Sequence, residues 1–170
     1  MILPDLRSTD LSNHHRYQRS IDLQNITVNC GDGGERIHRH TLVVEVVHQL
    51  AAAAQLAPRK EVRFLIPGRD SRPADVLLPQ WSGGRDAALD VTVVNTCQAA
   101  FVVGAADTPG YALGQAHKRK MRGAEEACRA HGISFLSLVA ESHGGWEEVA
   151  VATVDRIGRS LGPGPPDQPG

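Results

Sequence analysis

No stretch of this sequence approaches the roughly eighteen consecutive apolar residues that a membrane-crossing helix requires. The opening Met1-Ile-Leu-Pro-Asp-Leu-Arg-Ser-Thr-Asp10 also lacks the charged-then-apolar order of a signal peptide. Cysteine is scarce: Cys30, Cys97 and Cys128 are three in number, irregularly spaced and in no CxxC, which argues against a disulfide framework and fits a reducing compartment. There is no GxGxxG and no Walker loop, and the Gly31–Gly34 cluster follows no strand, so a nucleotide-binding enzyme lacks support. Charge of one sign is missing too. With 18 Lys+Arg against 19 Asp+Glu the net charge is -1, so any attraction to nucleic acid has to come from a local patch. No internal repeat is visible. The expectation is a soluble, intracellular chain without a membrane partner.

What is present suits one compact domain, because 170 residues can bury roughly two thirds of the surface the unfolded chain exposes. Residues 1–28 are polar and aperiodic and are expected to be poorly ordered. The proline- and glycine-rich tail 162–170 can hold neither helix nor strand and is expected to be disordered. Between them, 29–161 form the domain. Ile37, Thr41, Val44, Val47 and Ala51 recur at helical spacing over 35–57, up to Pro58. Val62, Phe64 and Ile66 alternate with charged residues, predicting a strand over 60–66. A hairpin follows in Arg72-Pro-Ala-Asp-Val-Leu-Leu-Pro-Gln-Trp-Ser-Gly-Gly-Arg-Asp-Ala-Ala-Leu-Asp-Val-Thr-Val-Val94. A Gly- and Ala-rich connection then leads to a helix over 111–131, a strand over 133–140 and a last helix from Trp146 to Leu161. The fold class is therefore α/β: helix, three-stranded antiparallel meander, helix, a strand returning parallel, and a C-terminal helix on a mixed sheet.

Each strand of the hairpin carries an aspartate. Asp75 and Asp90 lie equally far from the Ser82–Gly83 midpoint, so a symmetric register sets them opposite each other, with Cβ atoms about 4.5–5.5 Å apart. Two like charges that close destabilise a hairpin unless a cation sits between them. Mg²⁺, which favours one or two carboxylates completed by water and phosphate oxygens, matches the pattern; an exposed edge position for either acid is the plainer alternative. The helix over 111–131 adds a second signal. Its stripe of Leu113, Ala116, Ala124, Ala127 and Cys128 is completed by Lys120, and a sheet-facing lysine is rare unless paired, although it can also snorkel along the helix flank. Lys118, Arg119 and Arg122 fall on the solvent side, where they could meet a phosphate backbone.

This order of elements resembles the PD-(D/E)XK, or restriction-endonuclease-like, superfamily, with Arg72-Pro-Ala-Asp75 and Ala88-Leu-Asp90-Val-Thr-Val93 standing for its two acidic motifs. Within it, the chain more closely resembles the restriction-like endonuclease domain at the C-terminal end of certain non-LTR retrotransposon polyproteins. The likeness rests on CGDGGERIHRH, LAPRKEV, the segment 66–94, ACRAHGISFLSLVAES and GGW, in that order over about 30–146. It implies a restriction-endonuclease-like core and Mg²⁺- or Mn²⁺-dependent hydrolysis of a DNA phosphodiester in the nucleus. Asp75 and Asp90 would hold the metal, and Lys120 would orient the attacking water or neutralise charge. Thr92 occupies the usual place of the motif lysine, which some relatives carry on the following helix. Glu45 stands where relatives often have an acid and would help hold a second ion; by pattern alone it is a solvated helix-flank glutamate. Glu61 and Glu141, at strand ends, are weaker candidates.

The chain also departs from its relatives. They continue the helix as Lys-x-x-Lys-Tyr, whereas this sequence reads Lys120-Met-Arg-Gly-Ala124. Cys30, His38 and His40, without a CxxC, do not make the zinc knuckle usual upstream, and the two histidines, two apart on a helix, are expected to be solvated or capping. No reverse transcriptase accompanies the domain. The expectations are thus a detached nuclease-like piece of a mobile element, or an inactive relic or nucleic-acid-binding module that keeps the fold.

Overall fold

A computed structural model describes residues 33–63, 65–66 and 74–161. The expectations for 1–28, for Cys30 and for the tail 162–170 lie outside the described residues. The elements are α1 (Gly33–Ala53), β1 (Arg59–Lys60), β2 (Val76–Ser82), β3 (Arg85–Val94), α2 (Val102–Asp107), α3 (Tyr111–Ala130), β4 (Ser134–Glu141) and α4 (Glu148–Ser160). The four strands form one mixed sheet in the order β1-β2-β3-β4, antiparallel until β3 and then parallel between β3 and β4. The chain is thus an α/β protein on an open four-stranded sheet. None of the described helices is long and apolar enough to cross a membrane.

Strand alternation sorts the core onto two faces. Val76 and Leu78 of β2, Leu89 and Val91 of β3 and Leu138 of β4 pack against Val43, Val44, Val47 and Ala51 of α1 and Ala150 and Ile157 of α4. Each such side chain, fully buried, contributes about 1.5–3 kcal/mol. The alternate residues face α3. Ala88 and Phe135 meet Cys128 at one end, and Val94 and Val139 meet Ala112, Leu113 and Ala116 at the other. Between these two apolar patches the residues of β3 and β4 are Asp90, Thr92 and Ser137, and the helix residue is Lys120. The α3 face therefore carries a polar gap in the middle of its core.

Two sequence expectations require correction. The strand expected over 60–66 is only the pair Arg59–Lys60, because Glu61 takes the left-handed conformation at φ 49, which an extended strand does not tolerate. The buried stripe of α1 holds at Val44, Val47 and Ala51 but departs from the expected one in its N-terminal part. Ile37 is 65% exposed and Thr41 is exposed, while Val43, Val44, Val47, Ala51 and Ala54 face the sheet. In addition, the connection after β3 contains the short helix α2, which no periodicity announced.

Candidate functional site

The register of the hairpin positions the acids. Val76 pairs with Leu89, Leu77 with Ala88 and Leu78 with Ala87; the ladder ends there, and Asp75, one residue before it, lies beside the Leu89–Asp90 stretch of β3. The turn itself is centred on Gly83–Gly84, both with positive φ as a two-residue type I′ loop requires. Two extra residues of β2 between Leu78 and Ser82 restore the register. Gln80, at φ 52, lies in this irregularity, and its N–H donates to Asp86 Oδ1 at 3.0 Å. The bulge offsets the shifted turn and brings Asp75 to the end of the ladder near Asp90; the direct pairing expected of the two acids is not among the paired residues, which stop at Val76 and Leu89.

The two carboxylates are held differently. Asp75 ends the β2–β3 ladder. Its N–H donates to the Leu89 carbonyl at 2.9 Å, and its Oδ2 accepts from the Val91 N–H at 2.7 Å, standing in for the backbone partner that β2 no longer supplies. The same Oδ2 lies 3.3 Å from His40 Nε2, brought by the first turns of α1. Asp90 sits in the middle of β3 on the α3 face, with its side chain 16% exposed. Its Oδ1 accepts from Lys120 Nζ at 3.1 Å. Its Oδ2 is buried and lies 2.8 Å from the same ammonium. We take the short distance as a charge contact and the Oδ1 bond as the directional one.

Electrostatics join these groups into one cluster. Burial pushes the Asp90 carboxyl above its ordinary value, with Asp75 adding to the rise and Lys120 and His40 opposing it. His40 is raised chiefly by its hydrogen bond to Asp75, against the lowering effect of its own burial. A raised histidine favours the fold most when protonated. The contribution of His40 is complete below its ordinary 6.5 and is lost as pH rises through the folded value. His40→Ala should accordingly lower the melting temperature more at pH 5.5 than at pH 8.5; a gap of the same size at both pH values would mean that the Asp75 contact is not formed.

Of the other residues singled out from the sequence, Lys118, Arg119 and Arg122 are exposed on the outer side of α3. Glu45 has its oxygens engaged elsewhere, by Gln49 at 2.9 Å and Lys60 at 2.7 Å on the exposed flank of α1. Its pairing with Lys60 holds its pKa low. Glu61 follows β1 and donates its N–H to the Asp75 carbonyl at 3.0 Å. Glu141 ends β4 with its carboxylate lying over Gly145. Cys97 and Cys128 are free thiols.

The α1 residue that meets the aspartates is His40, for which a solvated or capping role is the sequence expectation. A signal for it exists: His40 lies three, four and seven residues before Val43, Val44 and Val47, on the buried stripe continued by one turn. Ser137, directly across from Asp90 on β4, had no sequence signal at all.

No protein-family model, no curated protein and no solved structure matches the chain, so the functional argument rests on the geometry of this cluster.

Proposed function

We propose that this chain is a divalent-metal-dependent, DNA-cleaving domain of the restriction-endonuclease-like kind, derived from a non-LTR retrotransposon and acting in the nucleus. The observation that carries the reading is a largely buried aspartate with a second one at the adjoining end of the neighbouring strand, and a lysine of the facing helix turned onto the first. Among the described residues no three His, Cys, Asp or Glu side chains converge as a protein-only cage. The donor set is therefore two carboxylates, which is the complement Mg²⁺ commonly takes when water and a substrate phosphate fill the remaining positions. Asp90 Oδ2, buried and facing the Lys120 ammonium at 2.8 Å, is an anionic oxygen suited to a cation in that ammonium's place. These residues fit the ion.

In this reading Asp75 and Asp90 hold the metal, which when bound supplies a polarised phosphoryl oxygen and a water of lowered pKa. Lys120, turned from Asp90, would donate to the attacking water or to the phosphate oxygen on which charge develops. His40 donates to Asp75 Oδ2 and fixes that carboxylate. Lys118, Arg119 and Arg122, on the outer side of the same helix, contact the phosphate backbone without reading sequence. Supercoiled plasmid incubated with the protein should be nicked in Mg²⁺ or Mn²⁺ and left intact in the presence of a chelator. Cleavage indifferent to chelation would remove the carboxylate pair from the mechanism.

A second reading, an inactive module that binds DNA, is favoured by one observation: Lys120 already neutralises Asp90, and the helix continues as Met121-Arg-Gly-Ala124 without a second lysine. DNA retardation without nicking in either metal would select it.

A further inference from the structure

The polar gap under α3 contains a residue that the proposed mechanism does not use. Ser137 is fully buried, at 0% exposure, and its Oγ has no hydrogen-bond partner among the described residues. A hydroxyl without a partner in the interior is costly, and alanine would fill the same space at no such cost; Ala88, Ala112 and Ala116 do so on this face. The serine has a neighbour with the complementary need. In the parallel register of β3 and β4 it lies directly across from Asp90, so the two residues are on adjacent strands about 4.7–4.9 Å apart and on the same face. Asp90 Oδ2 is buried and faces the Lys120 ammonium at 2.8 Å, so it is left without a donor when that ammonium turns away, and Ser137 Oγ is a buried donor that lacks an acceptor among the described residues. Thr92 Oγ1 is also unpartnered, but it lies two residues along β3, roughly 6.6–6.8 Å away.

We propose that Ser137 is a positioning residue for Asp90: a rotation about its χ1 lets the hydroxyl donate to Asp90 Oδ2 and hold that carboxylate in place when the Lys120 ammonium turns to a DNA phosphate. In the resting arrangement Lys120 supplies the directional bond through Oδ1 at 3.1 Å. Drawing the ammonium away would leave a buried carboxylate with no donor, free to change rotamer or take up a proton. A neutral hydroxyl prevents this without adding a second positive charge to compete for the ion. Outer partners of this kind orient a ligand oxygen, and their loss commonly costs about 10–100-fold in metal affinity.

The part of the inference that concerns metal rests on the proposed nuclease reading; the Ser137–Asp90 link does not, and two measurements separate them. The first is a thermal double-mutant cycle of Ser137→Ala and Lys120→Met. With Lys120 present, Ser137→Ala should change the melting temperature little. In the Lys120→Met background the serine is the remaining donor, and its removal should lower the melting temperature by a further ~3 °C or more. This coupling should vanish in the Asp90→Ala background. Additive effects throughout would overturn the proposal. The second is calorimetric titration with Mn²⁺, where Ser137→Ala should weaken binding about tenfold. Unchanged affinity in Ser137→Ala, beside a loss in Asp90→Ala, would leave the metal site standing and overturn the positioning role. If the unmodified protein bound no Mn²⁺, the nuclease reading would fail, and the thermal cycle would still decide whether Ser137 serves Asp90.

Discussion

Replacing Asp90 with Asn is expected to reduce Mg²⁺-dependent plasmid nicking by about a thousandfold or more, since losing one ligand oxygen removes both metal and water activation. The same change should leave the fold in place. Asn keeps the volume and one acceptor oxygen, and it no longer places a charge in an environment that disfavours one. Lys120 loses its partner, but its side chain is 35% exposed and can turn to water. Melting temperatures of the two proteins should therefore lie within a few degrees of each other. Loss of nicking together with loss of the folded state would say nothing about metal, so circular dichroism belongs beside the plasmid assay. A well-folded Asp90→Asn protein that nicks as fast as the parent would exclude this residue from the chemistry.

Lys120→Met acts in the opposite sense. It leaves the carboxylate of Asp90 in its buried place and removes the ammonium that accounts for its only directional bond to a side chain. Hydrogen bonds to charged groups are worth about 1.5–3 kcal/mol, and the destabilisation at neutral pH should fall in that range. The pH dependence gives the signature. Burial already holds Asp90 above the ordinary 3.8, and Lys120 is the main influence opposing that rise, so the variant pushes the folded value higher still. A carboxyl whose folded pKa exceeds its unfolded one favours the native state when protonated. That contribution is complete below 3.8 and is lost as pH rises through the folded value. The stability gap between parent and variant should therefore narrow as the pH falls from 7 toward 4. Chemical denaturation at several pH values measures it. A gap of constant size would mean that Asp90 and Lys120 do not sense each other.

How much of this could be read from the chain alone depends on the kind of signal. Lys120 was visible because a charge at i+4 from Ala116 interrupts an otherwise apolar stripe, and in the structure it lies on that stripe, bonded to Asp90. The parallel return of β4 followed from the length of α3, which is ample for a crossover. Counting about Ser82–Gly83 brings Asp75 near Asp90, whereas the turn is centred on Gly83–Gly84; the two extra residues near Gln80 that correct the count depend on backbone conformations that composition does not specify. The first strand was overestimated because alternation of Val62, Phe64 and Ile66 says nothing about the left-handed turn at Glu61. His40 escapes the sequence reading because Ile37 and Thr41, not His40, extend the stripe of Val44, Val47 and Ala51 by apolar character, although in the structure both are exposed. Ser137 was invisible for a different reason. Its role depends on which residue of a distant strand lies across from it, and register between β3 and β4 is fixed by tertiary packing.

The central claim is that Asp75 and Asp90 together hold one divalent ion, and it is tested most directly by titrating Mn²⁺ into the protein and following the free ion by electron paramagnetic resonance. The account predicts one tightly held ion per chain in the parent, and an affinity lowered about a hundredfold or more in both Asp75→Asn and Asp90→Asn, each of which removes one of only two protein ligands. Equal Mn²⁺ binding by the parent and the two variants, or none by any of them, would contradict it.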